Sequence, residues 1–190
     1  AATFPLSSGQ QGLWYAYRRS PKMTAYNVFL PSRFKSKLDL NAMRSSIEYL
    51  VDRHAALRTV FREAPESHRP IQRVLDRLPP EFQVVDVPSD DALLRQYVIE
   101  ETQRPFDLTH GPMLRFAAFR VADDDMVVVA TTHHIVVDFW SLVLIMEELR
   151  SIYPAVRSGH APSLPTAPAN YDQFVARQGA FLRGDGGKKL

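Results

Sequence analysis

There is no cysteine anywhere in the 190 residues, and that absence removes a disulfide framework, a thiol nucleophile and a cysteine-ligated zinc from consideration. An ordinary reducing compartment fits, with the cytoplasm as the expected setting. Long apolar runs are missing too: nothing approaches the roughly 20 residues that a bilayer-spanning helix needs, so no membrane partner is expected. Residues 1–10 carry neither the basic nor the apolar segment of a signal peptide. An excess of charge of one sign is also lacking. Lys and Arg number 23 against 21 Asp and Glu, a formal net charge of +2, and the pI near 9.0 reflects that small excess and not a basic stripe. This argues against nucleic acid as a partner. No internal repeat is visible. What is present, 45% hydrophobic and 23% charged residues, suffices for one globular domain with a substantial core.

The local pattern alternates helices and strands. Ser7 or Ser8 can cap a first helix with Gln10 or Gln11 at its third position, running through the amphipathic residues 13–19 and ending before Pro21. Residues 26–35 read as a strand in which Pro31 argues for an edge or a bulge. Asp39 caps a second helix, whose buried face is marked by Leu40, Met43, Ile47, Leu50 and Val51 at helical spacing. Residues 57–62, 71–75 and 82–87 read as short strands, and a third helix follows Ser89. Residues 116–121 and 126–132 flank Ala122-Asp123-Asp124-Asp125, which is a hairpin turn in preference to a metal-binding acidic run. Leu142, Ile145, Met146, Leu149 and Ile152 place an apolar stripe on a helix over residues 139–158, stopped by Gly159. Residues 160–169 form a Pro- and Ala-rich linker toward a last helix from Asn170.

Where the second hairpin strand gives way to that long helix stands His133-His134-Ile135-Val136-Val137-Asp138. Adjacent residues of an extended strand point to opposite faces, so the two imidazoles cannot share one metal or one proton. If His134 faces a cavity, His133 faces the packed side. Imidazole titrates near neutrality, which suits His134 to accept a proton from an attacking amine or hydroxyl. The competing reading makes both histidines hydrogen-bonded core residues.

Several segments together resemble the condensation domains of nonribosomal peptide synthetases, within the chloramphenicol acetyltransferase-like superfamily. Leu6-Ser7-Ser8-Gly9-Gln10-Gln11-Gly12-Leu13-Trp14 resembles the opening motif, followed by Pro21 and Ala25-Tyr26-Asn27. Arg53-His54-Ala55-Ala56-Leu57-Arg58-Thr59-Val60-Phe61 is similar to the motif RHxxLRTxF, and Arg104-Pro105-Phe106-Asp107-Leu108 with Gly111-Pro112-Met113-Leu114-Arg115 to a further recurrent segment. Residues 133–141 resemble HHxxxDGxS. Tyr171-Asp172-Gln173-Phe174-Val175 is similar to the fourth motif more loosely, with Gln173 where an Asp is usual and Arg177 where a Trp is usual. Trp14, Leu13 and the apolar positions of residues 53–61 are expected in the core.

The resemblance implies an α+β fold: a chloramphenicol acetyltransferase-like lobe with a mixed, mostly antiparallel sheet and flanking helices. Residues 1–190 would be the N-terminal lobe of a two-lobed condensation domain, with 160–169 as linker and 184–190 starting the crossing to a C-terminal lobe outside these residues. The implied reaction is acyl transfer from a carrier-protein-bound thioester to an amine or hydroxyl on a second carrier, with His134 as base or orienting group. Amide and ester formation both remain open, and an isolated lobe is expected to be inactive. Partners are the donor and acceptor carriers and the C-terminal lobe. No metal or organic cofactor is bound directly; the substrates arrive on the phosphopantetheine arms of carrier domains. His133 and Asp138 take supporting roles, with Arg58 proposed as the buried ion-pair partner of Asp138, because a carboxylate removed from water needs one. Phe139 stands where the family usually has Gly, marking it as a substrate-channel candidate, and the Phe-Trp-Ser-Leu variant resembles condensation-type domains of polyketide assembly lines. The alternatives are a noncatalytic carrier-docking or scaffold module, a related acyl-CoA-dependent transferase, and a metal hydrolase built on His134 and Asp138, for which no third ligand is indicated.

Overall fold

A computed structural model describes residues 2–165. The expected helix from Asn170, the fourth-motif segment, residues 166–169 of the linker and the crossing at 184–190 lie outside the described residues.

The chain runs β1 (Ala2–Pro5), α1 (Ser8–Arg19), β2 (Asn27–Phe34), α2 (Leu40–Arg53), a 3-10 turn (Ala55–Arg58), β3 (Thr59–Glu63), β4 (Pro70–Val74), β5 (Glu81–Asp86), α3 (Asp91–Thr102), β6 (Leu114–Ala122), β7 (Asp125–His133) and α4 (Phe139–Arg157). The strands divide between two sheets, a three-stranded one in the order β1-β4-β3 and a four-stranded one in the order β2-β7-β6-β5. All pairings are antiparallel except β5 with β6, which are joined through α3 as a parallel βαβ unit.

Both faces of the larger sheet are covered. On one side Met43, Ile47 and Leu50 of α2 and Leu142, Ile145 and Leu149 of α4 pack on Phe116, Ala118, Val128 and Ala130. On the other, Leu94 of α3 meets Ala117, Phe119, Val127 and Val129. That double burial explains why β6 and β7 read as continuous apolar runs and not as alternating ones. Strand β2 lies at the sheet edge, which tolerates Pro31 because one side of an edge strand has no ladder bonds for a missing N–H to break. A second core under the smaller sheet gathers Trp14, Val60, Phe61, Phe106, Leu108, Met113 and Ile135.

Caps follow the expected chemistry. Ser7 and Gln10 form a reciprocal capping box on α1, and Asp39 accepts from the Asn41 and Ala42 N–H groups at the start of α2. Two local features differ from expectation. Leu57 and Arg58 belong to the 3-10 turn and not to a strand, because the Leu57 N–H closes on the His54 carbonyl at 3.0 Å. Strand β1, only four residues long, carries too short a pattern to be seen before its pairing with β4 is known. Among the described residues no helix is long and apolar enough to cross a membrane.

Candidate active site

Strand β7 ends at His133 and the chain turns at His134, so the doublet straddles the strand end with one ring buried and the other exposed. His133 is buried, 3% exposed, with Tyr26 and Phe106 beside it at ring-centroid distances of 6.2 and 6.1 Å. Its Nδ1 accepts the Ile135 N–H at 3.1 Å, which leaves the proton on Nε2 in the neutral ring. Burial, reinforced by the neighbouring His134, pushes the His133 pKa down to about 4. His133 is therefore an uncharged brace for the turn. His134 is exposed, and its N–H donates to the Tyr26 carbonyl at 2.9 Å, tying its backbone to the end of β2.

The turn is held from several directions. The Val136 N–H donates to the His133 carbonyl at 3.1 Å, and the Ile135 side chain is sunk in the second core. From α1, the Gln10 Nε2 donates to the Ile135 carbonyl at 3.2 Å while its Oε1 accepts the Ser7 N–H at 3.0 Å. The sequence pattern assigns Gln10 to capping alone. A long polar side chain inside an otherwise apolar helix face is the available signal that it also reaches something buried.

Beyond the turn, Asp138 is the N-cap of α4. Its carboxylate accepts the Ser141 N–H at 2.7 Å, and that bond lowers its pKa below the usual value. The expected pairing with Arg58 is not formed. Arg58 donates instead to the carbonyls of Val51, Asp52, Leu75 and Asp76. It sits directly after α2, where the last carbonyls of that helix have no partner of their own and attract a cation. Asp138 is exposed, so no buried charge demands a counter-ion. Replacement by Ala is accordingly expected to cost about 1 kcal/mol, the value of a cap, and not the roughly 3–5 kcal/mol of a broken buried pair. Urea unfolding of Asp138→Ala against the parent chain distinguishes the two.

His133 gives a second testable consequence. Its folded pKa of about 4 lies below the ordinary 6.5, so between those values the unfolded chain binds more protons than the folded one. Stability from this group is complete above pH 6.5 and is lost as pH falls toward 4, by about 3 kcal/mol in total. Unfolding free energies at about pH 7 and pH 5 should differ accordingly, and His133→Asn, which accepts a hydrogen bond but does not ionise, should flatten that slope. An unchanged slope in the variant would remove His133 as its source.

Phe139, Trp140 and Leu144 open α4 with 51%, 75% and 65% exposure, an apolar surface on the first turns of the helix that follows the doublet. Arg53 and His54, by contrast, are tied to Glu148 of α4 at 3.2 and 2.6 Å and brace α2 against α4. Burial raises the Glu148 pKa, but the bonds from His54 and Arg53 outweigh it and hold the group below its ordinary value. Among the described residues no three His, Cys, Asp or Glu side chains converge on a point where a metal ion could be held.

This arrangement of two sheets, with a strand-end histidine doublet leading into a capped helix, has the fold of solved condensation domains. The starter condensation domain of the rhizomide synthetase RzmA superposes with a TM-score of 0.85 at 20% identity, over 97% of this chain and 45% of that one. The first condensation domain of the calcium-dependent antibiotic synthetase, in complex with substrate analogue 2a, gives 0.84 at 21% identity, over 97% and 45%. The model of the Condensation domain family matches residues 1–190, and the chain belongs to that family. Among curated relatives, the phosphinothricin tripeptide synthetase PhsB of Streptomyces viridochromogenes is 35% identical over 195 residues, 96% of this chain and 16% of the relative. The malpinin synthetase of Mortierella alpina is 34% identical over 188 residues, 95% of this chain and 2% of the relative. The chain thus spans less than half of the solved domains and a small fraction of these synthetases.

Proposed function

We propose that this chain is the N-terminal lobe of a peptide-synthetase condensation domain that joins a carrier-bound acyl thioester to a nucleophile held on a second carrier. The opposed placement of two adjacent imidazoles carries the reading: a neutral, buried His133 holds the turn while His134 stands exposed at its surface. In the reaction, the amine or hydroxyl attacks the thioester carbonyl, a C–N or C–O bond forms, and the C–S bond breaks to release the donor thiol. His134 orients the nucleophile or takes its proton, which passes finally to the departing thiolate. A thioester needs little activation, so holding both tethered substrates together supplies much of the rate.

The phosphopantetheine arms of the donor and acceptor carriers bring the substrates, and the lobe itself binds no cofactor. The C-terminal lobe completes the substrate tunnel, and the reaction takes place in the cytoplasm. One observation favours a second reading. Phe139, half exposed at the start of α4, replaces the Gly that would allow close backbone approach, which suits a lobe that docks carriers without chemistry. The test loads both carriers, adds the intact two-lobed parent domain and follows the acceptor carrier by mass spectrometry. Condensed product on the acceptor supports catalysis; carrier binding without product supports docking alone.

A further inference from the structure

The packed side of the doublet rests on a buried polar clamp that the reaction chemistry above does not use. Asn27 lies directly opposite His133 in the β2–β7 register. Its Nδ2 donates to the Thr102 and Arg104 carbonyls, at 2.8 and 3.0 Å. Arg115, on β6, reaches the same segment from the other side, donating to the Arg104 carbonyl at 2.8 Å and the Pro105 carbonyl at 2.9 Å. The Arg104 carbonyl thus accepts from both. The Arg115 guanidinium lies 3.8 Å from the Phe106 ring centroid, and Phe106 presents its ring edge-on to His133. Behind Arg115 stands Glu101, 3.5 Å from its Nε, with side-chain exposures of only 4% and 5% for the pair.

A buried ion pair is a poor way to gain stability, since apolar residues of equal volume often do as well. What apolar residues cannot do is grip two consecutive carbonyls while stacking flat on a ring, which is the property of a planar guanidinium fork. The fork fixes residues 104–106, Phe106 fixes the His133 ring, and that ring fixes the Ile135 N–H and with it the turn that presents His134. We infer that Arg115 is a positioning residue for His134, acting through Phe106 and His133 with Asn27 as the second arm of the clamp. The inference rests on the proposed role of His134.

Arg115→Lys keeps the charge facing Glu101 but loses the fork. In the intact two-lobed domain with loaded carriers it is expected to lower kcat by about ten-fold or more, because small displacements of a reacting group are costly. The KM for the donor carrier should move by less than about two-fold, since no substrate contact is removed. In a His134→Ala background the same change should have less than about a two-fold effect, the coupling expected of a residue that works through another. An equal factor in both backgrounds, or an unchanged kcat in the folded variant, overturns the inference while leaving His134 in place. A His134→Ala domain with parental kcat overturns both. If Arg115→Lys shows no cooperative unfolding, Phe106→Leu, which keeps the clamp and removes the ring edge against His133, is read by the same comparison.

Discussion

His134→Ala in the intact two-lobed domain is expected to reduce acyl transfer by about 10²–10⁴-fold, the usual contribution of a positioned acid–base group. The fall should appear in kcat, with the KM for either carrier little changed, because the imidazole acts on the nucleophile and not on the carrier surfaces. Stability should scarcely move. His134 is exposed and its backbone N–H, which donates to the Tyr26 carbonyl, survives the substitution, so the side-chain change is worth less than about 0.5 kcal/mol. A large rate loss with a parental melting temperature is therefore the signature of chemistry at this residue. Turnover within about three-fold of the parent would leave the rate to the tethering of the two substrates and would remove His134 from the reaction.

Phe61→Ala should produce the largest loss of stability. Phe61 has no exposed surface and packs with Trp14, Leu108, Met113 and Ile135 in the second core, while its N–H donates to the Leu108 carbonyl at 2.8 Å. Truncation leaves a cavity among groups fixed by different elements, so relaxation cannot fill it, and a cost of about 3–5 kcal/mol follows. Against the roughly 5–15 kcal/mol typical of a whole domain, that is a large share, readable as a shift of the urea midpoint at unchanged slope. Because Ile135 shares this core with Phe61, the turn carrying His134 should loosen too. A loss below about 1 kcal/mol would mean that the site collapses freely and that this core does not hold the turn.

The elements that are legible share a property: their signal is local and periodic. Helix α2 announces itself through Asp39 and a stripe of Leu40, Met43, Ile47, Leu50 and Val51, and the structure places the last four of these in the buried core. Pro31 points to an edge, where β2 lies. Alternation at a strand end anticipates one buried and one exposed histidine, which is how His133 and His134 stand. Arg58 shows where such reasoning stops. A cation in an apolar stretch signals a buried partner, but whether that partner is a carboxylate or a set of backbone carbonyls from the ends of α2 and β4 depends on which chain segment arrives beside it. Phe139 is a different case: its departure from the family pattern is visible in the sequence, while its exposure depends on what α4 packs against.

Read along the chain, the residues establish the alternation of helices and strands, the strand-end position of the doublet and the family resemblance, because backbone periodicity and capping act over a few residues. Which groups support the turn is a property of the folded molecule. Gln10 reaches Ile135 across 125 residues of chain, and Arg115 and Asn27 converge on one carbonyl of Arg104 from two different strands. Hydrogen bonds of this kind are short-ranged in space and indifferent to separation along the chain, so the pattern of residues leaves them unassigned until the sheets have formed.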